Sequence, residues 1–113
     1  MAKIAVVEDN AAVRQELCGF IAQYAQESGQ LLEVTPFADG SQIVEPYRPG
    51  FDIIFLDIEM PTLGGMPTAE RIRLLDPDVV LIFVTNMAQY AIRGYEVDAL
   101  DFVLKPVSYY QFS

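Results

Sequence analysis

The acidic residue Asp57 directly follows the uninterrupted apolar run Ile53–Leu56. A run of this length that is rich in β-branched and aromatic residues predicts a strand buried on both faces. Because an unpaired buried charge is very costly, the carboxylate at its end must be paired, neutralised or held where water and ions reach it. The carboxyl ends of strands in an open parallel sheet form such an edge, and ligands bind there. Asp57 is therefore the first candidate for chemistry.

Other apolar runs of the chain end in polar residues in the same way. These residues are Glu8 and Asp9 after 4–7, Thr85 after 79–84, and Lys105 after 102–104. Taken one at a time, each has an ordinary explanation as a helix cap, a strand end or a solvated charge. If the strands are parallel, however, their carboxyl ends meet at one edge of the sheet and the side chains crowd together. The coincidence therefore predicts a single polar site at that edge.

Charge repulsion indicates what such a site would bind. Carboxylates of Glu8, Asp9 and Asp57 about 4 Å apart would repel by roughly 4 kcal/mol per pair at an effective dielectric of about 20, which one lysine cannot cancel. A hard divalent cation such as Mg²⁺ prefers oxygen ligands and tolerates a site with few carboxylates. It would also accept a phosphoryl oxygen, while Lys105 as a point charge and Thr85 as a hydroxyl donor hold the other two. Asp57 would then be the nucleophile, because carboxylates form acyl phosphates in phosphoryl transfer.

The segment after Glu8 predicts the first helix. Apolar residues from Val13 to Tyr24 recur at helical spacing and indicate an amphipathic helix. Asp9 or Asn10 would cap its amino end with a side-chain oxygen, and Gly29 would close it.

The rest of the chain alternates strands with helices. A second helix starting at Asp39 should be brief, because Pro46 lacks an N–H and would clash with the carbonyl of Gln42. The other predicted elements are strands over 31–37, 53–56, 79–84 and 102–104, a third helix from Met66 or Pro67 to Asp76-Pro77, a short fourth helix through 90–92, and a fifth helix that starts near Ser108 and is truncated at Ser113. This alternation predicts an α/β fold with a parallel five-stranded sheet and helices on both faces.

Length and composition limit the classes of protein. The 113 residues fit one small domain, and a hydrophobic fraction of 52% is ample for its core. The net charge of −9 argues against a nucleic-acid-binding surface on this segment, which would normally be basic. The single cysteine, Cys18, excludes an internal disulfide, and neither a signal peptide nor an apolar run of membrane-spanning length is visible. These features favour a cytoplasmic location without membrane contact.

The motifs together resemble the receiver domain of two-component response regulators over essentially the whole chain. The residues that carry the resemblance are the acidic pair Glu8-Asp9, the turn Asp57-Ile58-Glu59-Met60-Pro61, the loop glycine Gly65, the hydroxyl of Thr85, the aromatic Phe102, and Lys105-Pro106 with its expected cis-proline.

The resemblance implies a flavodoxin-like (βα)5 fold, doubly wound, in which 1–113 is one receiver domain that is incomplete at its last helix. It implies that Asp57 accepts a phosphoryl group from a sensor histidine kinase, with Thr85 and Lys105 as the other catalytic residues. Mg²⁺ or Mn²⁺ would bind Asp9 and Asp57 directly, the Glu59 carbonyl as a third ligand, and Glu8 through water. A further set of roles also follows from the family: Thr85 and Phe102 would form the conformational switch, and Glu59 and Met87 would tune the lifetime of the phosphate.

The segment 90–106 is more specifically similar to the receivers of LytTR-type transcription regulators. This implies a downstream DNA-binding domain that the chain lacks, so that DNA would be bound only through that domain. A homodimer through helix four, strand five and helix five is the expected output. The chain departs from the family in having phenylalanine at Phe102 where many relatives have tyrosine, and in Gly64, Pro67 and Asn86.

Two alternatives to a signalling switch remain open at this point. One is a small-molecule phosphatase with an aspartate nucleophile, but such enzymes have an Asp-x-Asp motif after the first strand, and here Glu59 occupies the second position after Asp57. The other is an interaction module that is never phosphorylated, which is disfavoured because every reactive position is filled. The preferred interpretation is a self-phosphorylating and self-dephosphorylating signalling domain rather than a metabolic enzyme.

Overall fold

The computed structural model of the chain describes residues 2–87, 97–99 and 101–105. Within these ranges the elements are β1 (Ala2–Val7), α1 (Ala11–Ser28), β2 (Leu32–Phe37), α2 (Gly40–Val44), β3 (Ile53–Leu56), α3 (Gly65–Leu75), β4 (Val80–Thr85) and β5 (Asp101–Leu104). The strands form one five-stranded sheet in the order β2-β1-β3-β4-β5, and every pairing is parallel. The predicted α/β architecture with a parallel sheet is confirmed.

Alternation along each strand divides the core between the two faces of the sheet. Ala5 and Val7 of β1 belong to the cluster that includes Ile43 of α2 and Ile72 of α3. Ile4 and Val6 belong to the opposite cluster, where Leu17 and Ile21 of α1 pack. Helices therefore cover both faces, as predicted.

The ends of the first two helices follow their local chemistry. The Asn10 side chain accepts from the Val13 N–H at 3.1 Å and caps α1, which decides between the two predicted caps. Gly29 closes α1 in the left-handed region at φ 71°, a conformation that glycine adopts without steric cost. α2 ends at Val44, two residues before Pro46, and is as brief as the proline predicts.

Some predicted boundaries differ by a residue. α3 begins at Gly65 rather than at Met66 or Pro67, because Gly64 takes the extended N-cap conformation and Pro67 lies third in the helix, where no N–H is needed. β2 starts at Leu32, and Leu31 is exposed. The predicted fourth and fifth helices, and the expected cis bond before Pro106, lie outside the described residues. Among the helices that are described, none is both long enough and apolar enough to span a membrane.

Gly65 lies against the backbone that follows β3. A Cβ atom at this position would lie 2.0 Å from the Asp57 carbonyl oxygen and 2.9 Å from the Ile58 Cα. The Gly65 N–H also donates to the Ile58 carbonyl at 2.8 Å, so α3 starts in direct contact with the chain at Asp57. Since both contacts are with backbone atoms, a larger residue would force the chain at Asp57 to move.

We therefore expect Gly65→Ala to lower the free energy of unfolding by about 1–3 kcal/mol or more, despite the higher helix propensity of alanine. Gly19→Ala is the matched control, because Gly19 lies in the middle of α1 and, apart from the neighbouring backbone of its own helix, nothing lies within 4 Å of its Cβ position. It should stabilise the fold by roughly 0.5–1 kcal/mol. Urea denaturation of both variants measures the difference, and a stabilising Gly65→Ala would contradict the close contact.

Candidate functional site

The register of the sheet brings the polar strand ends together. Val7 is aligned with Leu56, so Glu8 and Asp57 follow neighbouring strands at the same level, and the Asp57 N–H donates to the Val7 carbonyl at 3.0 Å. On the other side, the Lys105 N–H donates to the Thr85 carbonyl at 2.9 Å. The predicted convergence at the carboxyl edge of the sheet is thus present.

The Lys105 ammonium lies between two carboxylates from different strands. Its Nζ is 2.5 Å from Glu8 Oε1 and 3.1 Å from Asp57 Oδ2. Burial alone would lower the pKa of Lys105, but the two carboxylates outweigh it and hold that pKa above its ordinary value. Lys105 therefore remains a cation in the site and links β5 to β1 and β3.

Glu8 is the most buried charged group of the site, with 1% of its surface exposed. Its Oε2 accepts from the Asn10 N–H at 3.0 Å. Its Oε1 is paired with the Lys105 ammonium. Burial raises the pKa of Glu8 to about 7, although Lys105 and the Asn10 N–H lower it, and neighbouring Asp9 and Asp57 raise it further.

The carboxylate of Asp57 is held by two donors. Oδ1 accepts from the Ile58 N–H at 2.7 Å, and Oδ2 accepts from Lys105. The residue is 6% exposed. Because the carboxylate is fixed at both oxygens, its orientation depends on the backbone that follows Asp57 as well as on Lys105.

The three acidic residues form a cluster suited to a cation. Carboxylate oxygens of Glu8, Asp9 and Asp57 lie within 4.8 Å of one another. Asp9 is exposed whereas Glu8 and Asp57 are buried, so the cluster opens to solvent on the Asp9 side. All the ligand atoms that the three residues offer are carboxylate oxygens, so the residues fit a hard divalent cation.

The other predicted site residues also lie within the described part of the chain. Thr85 is fully buried, and its Oγ1 accepts from the Met87 N–H at 3.2 Å. Phe102 is half-buried, with its ring centroid 6.0 Å from that of Phe83. Glu59 is exposed, and its side chain is not a member of the acidic cluster.

Sequence reasoning missed two contacts close to the site. Arg14 of α1 donates through Nη1 to the Glu8 carbonyl at 2.7 Å, and nothing in the sequence signals this because it depends on how α1 packs. Asp39 was predicted only to start α2, but its carboxylate also accepts from the N–H groups of Thr62 and Leu63 beyond β3. Its position as an acid two residues after a strand was the available signal.

Comparison with known proteins identifies the family. The profile of the response regulator receiver domain matches residues 4–112. The chain belongs to this family. The sensory transduction protein LytT of Oceanobacillus iheyensis is 32% identical over 96% of this chain and 44% of its own length. The transcriptional regulatory protein BtsR of Escherichia coli is 33% identical over 95% of this chain and 43% of its own length. The chain thus spans less than half the length of these curated relatives.

Solved receiver domains share the fold. The non-phosphorylated HemR receiver domain from Leptospira biflexa matches with a TM-score of 0.86 and 29% identity, covering 99% of this chain and 88% of that one. The response regulator TrrA from Thermotoga maritima, in complex with Mg²⁺ and BeF, matches with a TM-score of 0.80 and 27% identity, covering 99% of this chain and 93% of that one. The receiver fold predicted from the motifs is therefore confirmed.

The raised pKa of Glu8 predicts how this receiver domain responds to pH without metal. Unfolded, Glu8 loses its proton near its ordinary pKa of 4.5, whereas folded it keeps the proton to about 7. The folded state binds more protons in this window, so the contribution of Glu8 to stability falls as pH rises from about 4.5 through 7. Glu8→Gln should remove this loss. Its free energy of unfolding, relative to that of wild type, should therefore rise by on the order of 2 kcal/mol between about pH 5 and about pH 8.

Denaturation experiments at both pH values, in buffer that contains a metal chelator, measure this gain in the free energy of unfolding. Glu16→Gln is the control, because Glu16 is exposed on α1, and it should retain the pH dependence of wild type. The same pH dependence in Glu8→Gln and wild type would show that Glu8 is not held protonated by burial.

Proposed function

We propose that this receiver domain is a phosphorylation-activated switch in which Asp57 accepts a phosphoryl group from the phosphohistidine of a sensor histidine kinase. The observation that carries the proposal is the Lys105 ammonium held between Glu8 and Asp57, beside an acidic cluster that opens to solvent. A carboxylate oxygen of Asp57 forms the new P–O bond as the P–N bond breaks and the imidazole leaves. The remaining residues of the edge stabilise the charge on the transferred group.

Lys105 and Thr85 would bind the phosphoryl oxygens. Lys105 is already charged and 3.1 Å from Asp57 Oδ2, so it can follow the negative charge from the carboxylate to the phosphoryl group without leaving the site. The Thr85 hydroxyl accepts from the Met87 N–H, which leaves its own proton available for donation.

The metal we assign to the cluster is Mg²⁺ or Mn²⁺. Asp9 and Asp57 would bind it directly, with the Glu59 carbonyl as a third ligand and Glu8 acting through water. When bound, such an ion offsets carboxylate repulsion and neutralises phosphoryl charge. The oxygen donor set and the acidic cluster support this assignment, and the solved relative TrrA binds Mg²⁺ with BeF.

The output would begin at Thr85. A hydrogen bond from its hydroxyl to the phosphoryl group would draw the end of β4 toward Asp57, and Phe102 would turn inward beside Phe83. The two states need differ by only a few kcal/mol for phosphorylation to shift the population. We propose that this reshapes the face of helix four, strand five and helix five for a homodimer partner. Of that face, the structure describes only β5.

Glu59 and Met87 are assigned to control the lifetime of the phosphate. Glu59 is exposed two residues after Asp57, and Met87 lies two residues after Thr85. At these positions, their side chains would control the approach of the attacking water. Substitution there should alter dephosphorylation without abolishing phosphorylation.

We further propose that the receiver regulates transcription through a LytTR-type DNA-binding domain downstream, in the cytoplasm. The similarity to LytT and to the transcriptional regulatory protein BtsR, each of which is more than twice as long as the matched region, supports this. No specific observation favours the phosphatase alternative, and family membership favours a signalling role over a metabolic one.

Asp57→Asn should abolish hydroxylamine-sensitive phosphate incorporation from acetyl phosphate with Mg²⁺, because an amide is a poor nucleophile. Intact-protein mass spectrometry measures the incorporation. Asp52→Asn is the control, because Asp52 is an exposed aspartate before β3 at the opposite edge of the sheet and should label like wild type. Labelling of Asp57→Asn at the wild-type rate would refute the assignment of the acceptor.

Mg²⁺ should stabilise the folded domain by relieving carboxylate repulsion. At a concentration about tenfold above its dissociation constant, the gain in the free energy of unfolding is about 1.4 kcal/mol. Asp9→Asn should lose most of this gain, whereas Glu16→Gln should keep it. Thermal melts with and without millimolar Mg²⁺ test this, and a wild-type midpoint that ignores the metal would count against the cation site.

A further inference from the structure

Asp39 is a buried acid whose carboxylate joins two separate parts of the chain. It is 7% exposed and lies between β2 and α2. Its Oδ2 accepts from the Ser41 N–H at 2.9 Å, which caps α2, and from the Leu63 N–H at 3.0 Å. Its Oδ1 accepts from the Thr62 N–H at 3.0 Å. The carboxylate is thus satisfied by backbone donors, and these hold the pKa of Asp39 below its ordinary value in spite of its burial.

Two of these donors belong to the loop that carries the phosphorylation chemistry. Residues 57–64 connect β3 to α3 and include Asp57 and Glu59. Two hydrogen bonds hold the ends of this loop. At its start the Ile58 N–H donates to Asp57 Oδ1, and at its end the Gly65 N–H donates to the Ile58 carbonyl. Asp39 holds the far limb of the loop between these points, so the path of the backbone past Asp57 depends on a residue outside the site.

The neighbour of Asp39 makes the same junction rigid. A Cβ at Gly40 would lie 1.8 Å from Thr68 Oγ1 and 2.5 Å from the Leu63 carbonyl oxygen. Thr68 in turn donates through Oγ1 to the Gly64 carbonyl at 2.8 Å. The turn at Asp39-Gly40 therefore packs directly against the end of the loop and the first turn of α3, with no space for the loop to shift toward it.

We propose that Asp39 is a positioning residue for phosphoryl transfer at Asp57, acting through the 57–64 loop. The inference rests on the proposed function of Asp57. By holding the Thr62 and Leu63 amides, Asp39 keeps fixed the backbone from which the Ile58 N–H orients the Asp57 carboxylate. It also fixes the Glu59 carbonyl assigned to the metal. Small displacements of reacting groups cost large factors in rate, so the loop anchor should matter for kinetics beyond its effect on stability.

Two substitutions separate loop anchoring from helix capping. Asp39→Asn is nearly isosteric, but it places an amide NH₂ where one carboxylate oxygen accepts, so some backbone N–H groups lose their acceptor. Asp39→Ser retains an N-cap oxygen for α2. Its single hydroxyl, however, cannot accept from both the Thr62 N–H and the Leu63 N–H. Gln42→Ala is the matched control, because exposed Gln42 accepts from the Ala38 N–H at 2.8 Å within the same turn.

The experiment measures the phosphorylation rate with acetyl phosphate, the Mg²⁺ affinity, and the hydrogen exchange of loop amides, at a temperature where near-UV circular dichroism shows every protein folded. In both Asp39 variants we expect phosphorylation to slow by about tenfold. Mg²⁺ should bind more weakly, and the Thr62 and Leu63 amides should exchange faster. Gln42→Ala should stay within about twofold of wild type in rate, since its lost hydrogen bond does not reach the loop.

The outcomes distinguish this inference from the proposed function. If wild type incorporates phosphate while folded Asp39→Asn and Asp39→Ser match its rate, the positioning role is overturned and the function of Asp57 stands. If wild type incorporates none, the proposed function fails and the inference fails with it. Should Asp39→Asn not fold, Asp39→Ser, which keeps the cap, decides the result by its rate alone.

Discussion

The ion pairs of Lys105 with Glu8 and Asp57 are the constraint on which the rest of the structure depends. Two carboxylates at the ends of adjacent buried strands repel each other, and burial makes that repulsion larger. The ammonium of Lys105, at 2.5 Å from one and 3.1 Å from the other, offsets part of it. Burial, and to a lesser extent the neighbouring carboxylates, raises the pKa of Glu8, and the three acids form a cluster that a divalent cation would complete.

The fold supplies what this arrangement requires, which is close and fixed approach of side chains from distant parts of the sequence. Parallel strands in the order β2-β1-β3-β4-β5 place the ends of β1, β3, β4 and β5 along one edge. The core clusters on both faces hold these strands, so apolar packing offsets the free-energy cost of placing charged groups at the edge. The site thus combines a rigid scaffold with a carboxylate repulsion that a bound divalent cation would relieve.

The position of the loop between β3 and α3 depends on contacts with other parts of the chain. It has no regular structure, yet it is held at the Ile58 N–H, at the close contact with Gly65, and at the carboxylate of Asp39. Each contact is made to the loop backbone, and the buried side chains of Ile58 and Met60 add packing against the core. Exposed Glu59 makes none of these three contacts, so a substitution there would leave Asp57 in place.

Much of this protein was determined by the sequence itself. Apolar runs predicted the strands, Asn10 and Gly29 marked the ends of α1, and Pro46 limited α2, because each acts through local sterics or a nearby hydrogen bond. The convergence of Glu8, Asp57 and Lys105 was also predictable, since parallel strands end at the same edge of the sheet. The start of α3 was predicted one or two residues too late, because glycine at an N-cap leaves no side-chain signal.

Only the tertiary structure decided how deeply each of these residues is buried and which groups it contacts. Glu8 and Asp9 are adjacent in sequence, but one is buried against Lys105 and the other is exposed, because successive residues point in different directions as the chain leaves β1. The partners of Asp39 lie 23 and 24 residues away, and its role depends on the packing of two turns that no local pattern relates. Burial, pairing and long-range hydrogen bonds depend on where the whole chain places each atom, and those placements determine the charge of the site.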